Sequence, residues 1–125
     1  MLSLYEIFGI LIIHWIADFI CQKDADAKGK STSMYHLMNH ITDYQSVWFA
    51  FGFAYWIISG HLHILKLVLF IFITGVCHTI TDYFTSRWVK KSFDKQDYHN
   101  GFVKIGFDQL LHYAQLFLTY YFLIK

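Results

Sequence analysis

The sequence predicts an all-α fold: an integral membrane four-helix up-down bundle, with residues 1–125 forming a single transmembrane domain. Three observations carry this expectation. The stretch from Leu67 to Ile80, LVLFIFITGVCHTI, contains no Asp, Glu, Lys or Arg and has no polar face at helical or strand spacing. A helix apolar all round needs an apolar environment on every side, and a soluble bundle of this size has too little interior to provide one. The composition is 56% hydrophobic, 21% aromatic and only 15% charged, against about a quarter charged in ordinary soluble domains. There is no proline to interrupt long helices. The same composition excludes disorder. A net charge of +1, with no basic run longer than Lys90-Lys91, excludes nucleic acid as a partner, because such surfaces cluster Lys and Arg.

The first helix is expected at residues 2–22, around the apolar run Phe8 to Ala17. It lacks the basic start and small-residue cleavage site of a signal peptide and contains Asp18, so it reads as a retained span. The loop KDADAKGKSTS follows, with Ser31 and Ser33 as candidate caps. The second helix is expected at 33–59 around Val47 to Ile58, and Ser59-Gly60 makes a tight turn into the third, at 62–89. The polar loop KKSFDKQDYHNG leads to the fourth, at 104–124, around Leu110 to Ile124. Each apolar run is shorter than the roughly 20 residues of a full span, but each continues into a helix-compatible stretch mixing His, Asp and aromatic residues.

Orientation follows from the basic residues. Lys23, Lys28, Lys30, Arg87, Lys90, Lys91, Lys95 and Lys104 fall on the side of the two polar loops, with Lys66 and Lys125 opposite. The positive-inside rule places those loops in the cytoplasm and both termini outside, in a multi-pass membrane protein. Cys21 and Cys77 are too few for a disulfide framework and lie toward the reducing face.

The chemistry concentrates in four pairs at i, i+4 spacing: His14 and Asp18, His36 and His40, His78 and Asp82, Asp108 and His112. That spacing puts both members of a pair on one helix face. In an up-down bundle the four helix ends that carry them meet at the cytoplasmic side. An unpaired carboxylate near the bilayer centre costs about 2.5–3.5 kcal/mol, so the three aspartates need neutralising. Protonated histidines would do this, as would divalent metals. Imidazole and carboxylate suit one or two zinc ions first, with iron or manganese as the other ions that fit.

All eight paired residues are therefore candidate metal ligands, and Asp18, His40, Asp82 and His112 are candidates for the catalytic work. Gln22 extends the His14 and Asp18 stripe by one turn and is expected to hold Asp18 or a substrate oxygen; Arg87, a little over one turn past Asp82, suits a phosphate. Asp43 and Gln109 read as interfacial polar groups, while His61, His63 and His99 receive no role. The competing reading is that the pairs only hydrogen-bond helices together, at about 0.6–2 kcal/mol each.

The strings H-x3-D-F-x2-Q from His14 to Gln22, H-x3-H from His36 to His40, H-x3-D from His78 to Asp82 and D-Q-x2-H from Asp108 to His112 resemble, in that order, a family of small integral membrane proteins of bacteria and their phages, a domain of unknown function. The likeness covers nearly the whole chain. It implies a small helical membrane protein of bacterial or phage origin, in which His14, Asp18, Gln22, His36, His40, His78, Asp82, Asp108 and His112 act as a unit, and it implies no activity. Through H-x3-D alone the chain is similar to membrane-bound metal-dependent hydrolases and to zinc phospholipase C-type enzymes, but it lacks the further glutamate and tryptophan ligands of the latter.

The first expectation of function is a metal-dependent hydrolase acting on a phosphate or ester of a lipid or lipid-linked substrate at the cytoplasmic membrane surface. A bound metal lowers the pKa of water toward about 7, an uncoordinated Asp or His moves the proton, and the basic loops collect anionic headgroups. The alternative is a transport protein that handles metal ions or protons. The outer apolar runs hold no ionisable path, so a continuous route would require a homo-oligomer. A third reading is a structural or holin-like membrane protein with the cluster as glue. Holins often carry a dense charged tail, which the sequence ending at Lys125 does not display.

Overall fold

The computed structural model describes residues 2–125. The chain is all-α, 85% helical, with no strand among the described residues. It has five α-helices where four were expected: α1 Leu4–Trp15, α2 Asp24–Gly29, α3 Met34–Ser59, α4 Ile64–Phe93 and α5 Tyr98–Leu123. A π-helical turn, Ile16–Ile20, continues α1.

Helix α1 starts at a reciprocal cap, in which the Ser3 hydroxyl accepts the Glu6 N–H and the Glu6 carboxylate accepts the Ser3 N–H at 2.6 Å. Past Trp15 the bonding widens, and the Cys21 N–H reaches back to the Ile16 carbonyl at 2.9 Å. The extra helix, α2, lies in the segment expected as a loop. Its first-turn Asp24 and Asp26 favour the helix N-terminus, and Lys28 lies in its last turn. Ser33 occupies the cap position of α3 without a side-chain bond. Gly60 ends α3 at φ +66°, a left-handed conformation that costs glycine little.

Helices α4 and α5 run further than expected, leaving only four residues between them. The Lys90 and Asp94 pair, 2.6 Å apart at i, i+4, bridges the end of α4. The Asp97 carboxylate caps α5 by accepting the Asn100 N–H. The expected loop thus supplies an extra turn to each helix, and His99 lies on α5.

The interior is divided by chemistry. Toward one end Ile10, Ala17, Tyr44, Trp48, Phe70 and Leu116 pack as an apolar core. Toward the other, the buried side chains include His14, Asp18, His40, His78, Asp82, Asp108 and His112. The outside is the reverse, with large apolar residues such as Leu65, Phe72, Leu118 and Phe122 facing outward along the helices. Helix α4 is long and apolar enough to cross a membrane, and it is the one such helix among the described residues. The other predicted spans fall short for physical reasons visible in the fold. Helix α1 stops after 12 residues at the π turn, while α3 and α5 devote their site-facing turns to polar side chains.

Candidate metal centre

The π turn, α3, α4 and α5 each bring polar side chains to one point. Asp18 comes from the middle of the π turn, His40 from α3, His78 and Asp82 from successive turns of α4, and Asp108 and His112 from successive turns of α5. The extra residue in a π turn re-aims the side chains around it, a device found frequently at functional sites.

At the centre are four donor atoms. His40 Nε2 is 3.1 Å from Asp18 Oδ1, 3.1 Å from Asp82 Oδ2 and 3.1 Å from His78 Nε2. His78 Nε2 is 3.5 Å from the same Asp18 oxygen and 3.6 Å from the same Asp82 oxygen. A tetrahedral ion with bonds of about 2.0–2.1 Å spaces its ligands about 3.3 Å apart, so these separations match one coordination shell. Hydrogen bonding alone accounts for them poorly. One Nε2–H satisfies one acceptor, whereas His40 Nε2 faces two carboxylate oxygens and a second ring nitrogen. Asp18 Oδ1 is buried and accepts no hydrogen bond, a costly condition for a carboxylate oxygen unless a cation lies beside it. Nδ1 of His40 and of His78 is likewise without a hydrogen-bond partner, so the polar contacts of both rings lie on their Nε2 side.

A second set, Asp18, Asp108 and His112, also places one donor atom from each residue within 4.8 Å of the others. Asp82 links the two sets, for its Oδ1 lies 3.2 Å from His112 Nε2 while its Oδ2 faces His40. His112 Nε2 is also 3.3 Å from Asp108 Oδ1. The Thr85 hydroxyl donates to that same Asp108 oxygen.

A hydrogen-bonded chain orients the carboxylates. Tyr44 O–H donates to His14 Nδ1 at 3.1 Å, which leaves the His14 Nε2–H to donate to Gln109 Oε1 at 3.0 Å. The Gln109 amide then donates to Asp18 Oδ2 at 3.0 Å and to Asp108 Oδ2 at 3.1 Å. Tyr44 also stacks on the His78 ring, with centroids 3.8 Å apart, and His78 stacks on His112 at 4.1 Å. These contacts restrict the rings to the orientations that aim Nε2 at the carboxylates.

Lys30 supplies the cation nearest the donors. Its ammonium is 2.7 Å from Asp82 Oδ2 and 3.5 Å from His40 Nε2. Burial pulls the Lys30 pKa down, but the charges of Asp82 and Asp18 outweigh that and hold it above the ordinary lysine value. Beside this group lies a pocket of about 420 Å³ lined by Asp18, Asp82, Asp108, Gln109 and Lys30 together with apolar side chains of α4 and α5.

Of the expected residues, His40, His78, Asp18 and Asp82 come together in one set, and Asp108 and His112 join Asp18 in the other. His14 lies beside them, bonded to Gln109 and 3.6 Å from Asp18 Oδ2. His36 is not brought to the donors; it turns to α2 and pairs through Nδ1 with Asp26 Oδ1 at 2.8 Å. The i, i+4 rule puts His36 and His40 on one face but not at one depth, and α2 covers the end where His36 lies. Gln22 donates to the Asp18 main-chain carbonyl, not to its carboxylate. Arg87 folds over the Tyr83 ring at 3.8 Å and donates to the Tyr83 carbonyl, away from the cluster. Asp43 pairs with Lys23 at 3.1 Å.

Sequence reasoning missed Lys30, Tyr44 and Thr85, and placed Gln109 at the interface. Gln109 carried a signal in its position next to Asp108. Lys30 carried none, being one of several lysines in a segment read as loop.

Comparison with known proteins adds one finding. The chain matches the model of a family described as protein of unknown function (DUF3307) over residues 7–125, and it belongs to that family. No curated protein and no solved structure matches it.

Proposed function

We propose that this member of the DUF3307 family is a membrane-embedded, metal-dependent hydrolase, acting on a phosphate or ester group of a lipid or lipid-linked substrate at the cytoplasmic face. The observation that carries the reading is the set of four donor atoms from Asp18, His40, His78 and Asp82, all within 4.8 Å of one another, beside a pocket lined by both carboxylates. Zinc fits two imidazoles and two carboxylates best, and iron or manganese would also be held. An ion held there with one coordination position left to the pocket would supply a polarised substrate oxygen and a water of lowered pKa.

The chain's own residues do the rest. Asp18 and Asp82 offer the charge, His40 and His78 the neutral donors, and Gln109 fixes Asp18 from the opposite side. His112, set between Asp82 and Asp108, is positioned to take up and return a proton.

The membrane setting is supported by the inverted arrangement of polarity, with carboxylates and imidazoles inside and large apolar side chains outside. In water that exterior would favour aggregation, whereas in a bilayer it meets its own solvent. We read α1 with the π turn, α3, α4 and α5 as four spans, with both termini outside and the lysine-rich turns in the cytoplasm. The closed apolar core of Ile10, Trp48, Phe70 and Leu116 argues against an ion path through one copy of the chain and so favours hydrolysis over transport.

The test is elemental analysis of detergent-purified protein, followed by assay against a panel of phospholipids and isoprenoid phosphates. One or two divalent ions per chain with turnover of a panel member is the expected result. Protein that takes up no divalent ion would reject the proposal, and metal uptake without turnover of any member would favour transport.

A further inference from the structure

Lys30 poses a physical question that the donor set leaves open. Its side chain is 16% exposed, and removing an ammonium from water is costly unless it is well paired. Yet its partner oxygen, Asp82 Oδ2, is also one of the four donor atoms. A cation held by those donors and the Lys30 ammonium must therefore share that oxygen, which leaves Lys30 with N–H donors to direct elsewhere.

The pocket shows where. Lys30 lines it together with the three carboxylates, while Phe19, Val89, Phe93 and Ile105 form apolar wall; Lys28, exposed, and Lys90, partly exposed, also line it but are paired with Asp24 and Asp94. Asp18, Asp82 and Asp108 together would repel any anion. With one divalent ion and the Lys30 ammonium, the three carboxylates are neutralised, and an anionic group can then approach. A carboxylic ester offers the ammonium only a neutral acceptor, whereas a phosphoryl oxygen offers the compact negative charge that lysine pairs with well.

We infer that Lys30 is the anion-binding residue of this site, holding a phosphoryl oxygen of an amphiphilic phosphate ester whose apolar chain lies against Phe19, Val89, Phe93 and Ile105. The inference rests on the metal reading above and narrows its substrate from phosphate or carboxylic ester to phosphate ester. Lys30 acts on the substrate and not on the metal, and the two roles separate experimentally.

The experiment uses the full chain in an uncharged maltoside detergent, loaded with Zn2+ or Mn2+, with metal content and ligand binding measured on the same sample. The ligand probes are hexyl phosphate and inorganic phosphate, followed by calorimetry. Wild-type protein should bind hexyl phosphate more tightly than inorganic phosphate. Lys30→Met should keep its metal and bind hexyl phosphate about 10-fold more weakly or worse, the usual scale for losing a charged hydrogen bond. Lys30→Arg, which keeps the charge, should stay within about threefold of wild type. Lys30→Gln gives the same reading as Lys30→Met should the latter fail to fold.

Unchanged hexyl phosphate affinity in folded, metal-loaded Lys30→Met or Lys30→Gln would overturn the inference. So would loss of metal from those variants, which would place Lys30 in support of the ion. Equal affinity for the two probes would overturn it in favour of free phosphate as the ligand. A wild-type chain that takes up neither metal would instead bring down the hydrolase reading itself.

Discussion

Gln109 donates its amide to Asp18 at 3.0 Å, joining α5 to the π turn between residues 91 apart in sequence. The same amide receives His14 and reaches Asp108, so one neutral side chain touches three of the ionisable residues. Gln109→Leu removes those bonds, taking the donor from two carboxylate oxygens and the acceptor from a ring N–H, at a cost of about 1–3 kcal/mol. Metal affinity should fall by about 10–100-fold, as for other groups that hold a ligand in place. Thermal unfolding and zinc titration of the variant measure the two effects, and no change in either would remove Gln109 from the site.

Asp82→Ala deletes the carboxylate whose two oxygens face His40 and His112. Metal binding should be lost while helical circular dichroism remains, because the apolar remainder of α4 still packs. Unchanged metal content accompanied by lowered stability would show that Asp82 only fastens helices, a role worth about 1–2 kcal/mol.

His36→Ala makes the contrasting case. His36 pairs with Asp26 on α2 and offers nothing to the four donor atoms, so metal content should be unaffected. Stability should drop by no more than about 1 kcal/mol, the usual worth of a partly exposed pair. Loss of metal from this variant would mean that α2 opens and delivers His36 to the site.

Membrane orientation can be read by labelling single cysteines introduced at Lys28 and Lys95 in a background with Cys21 and Cys77 replaced by serine. Both positions are exposed, and both should be protected from impermeant reagent in intact cells and labelled after lysis. Labelling of either from outside would invert the topology.

Gly75 and Gly106 should respond differently to alanine. A Cβ at Gly75 would displace the Gln45 amide, whose nitrogen donates to the Ile71 carbonyl at 2.8 Å, so the lost hydrogen bond offsets the helix gain and Gly75→Ala should be neutral to about 1 kcal/mol destabilising. A Cβ at Gly106 meets nothing within 4 Å, and alanine there should stabilise α5 by up to about 1 kcal/mol. Equal effects in thermal unfolding would contradict the packing of α3 on α4.

The pattern of four spaced pairs made much of the cluster legible, because i, i+4 spacing fixes a helix face without any knowledge of tertiary structure. Depth was harder. His36 lies one turn before His40 on α3, and that single turn separates a pair with α2 from the donor set. The segment KDADAKGKSTS shows why α2 and Lys30 escaped: six residues are too few for a periodic apolar face, and its alternating charges look like solvated loop. The one helix apolar enough to cross a membrane, α4, was legible in the run at Leu67 to Ile80, which no Asp, Glu, Lys or Arg interrupts. In α3 and α5 the residues that build the cluster dilute the apolar signal.

The π turn makes chain length itself a determinant at Ile16–Ile20. A regular α-helix through this segment would need one residue fewer for the same hydrogen-bonded ring, and each residue turns the chain by about 100°. Deleting Ile20 would therefore relax the turn into ordinary helix and rotate the segment that carries His14 and Asp18, by about 100°, against the chain that follows toward α2, although no side chain of the cluster had been altered. Replacing Ile20 by another apolar residue would leave that phase intact. Tolerance here is thus expected to be generous toward substitution and strict toward insertion or deletion, whereas the exposed turn at residues 94–97 carries no such constraint on its length.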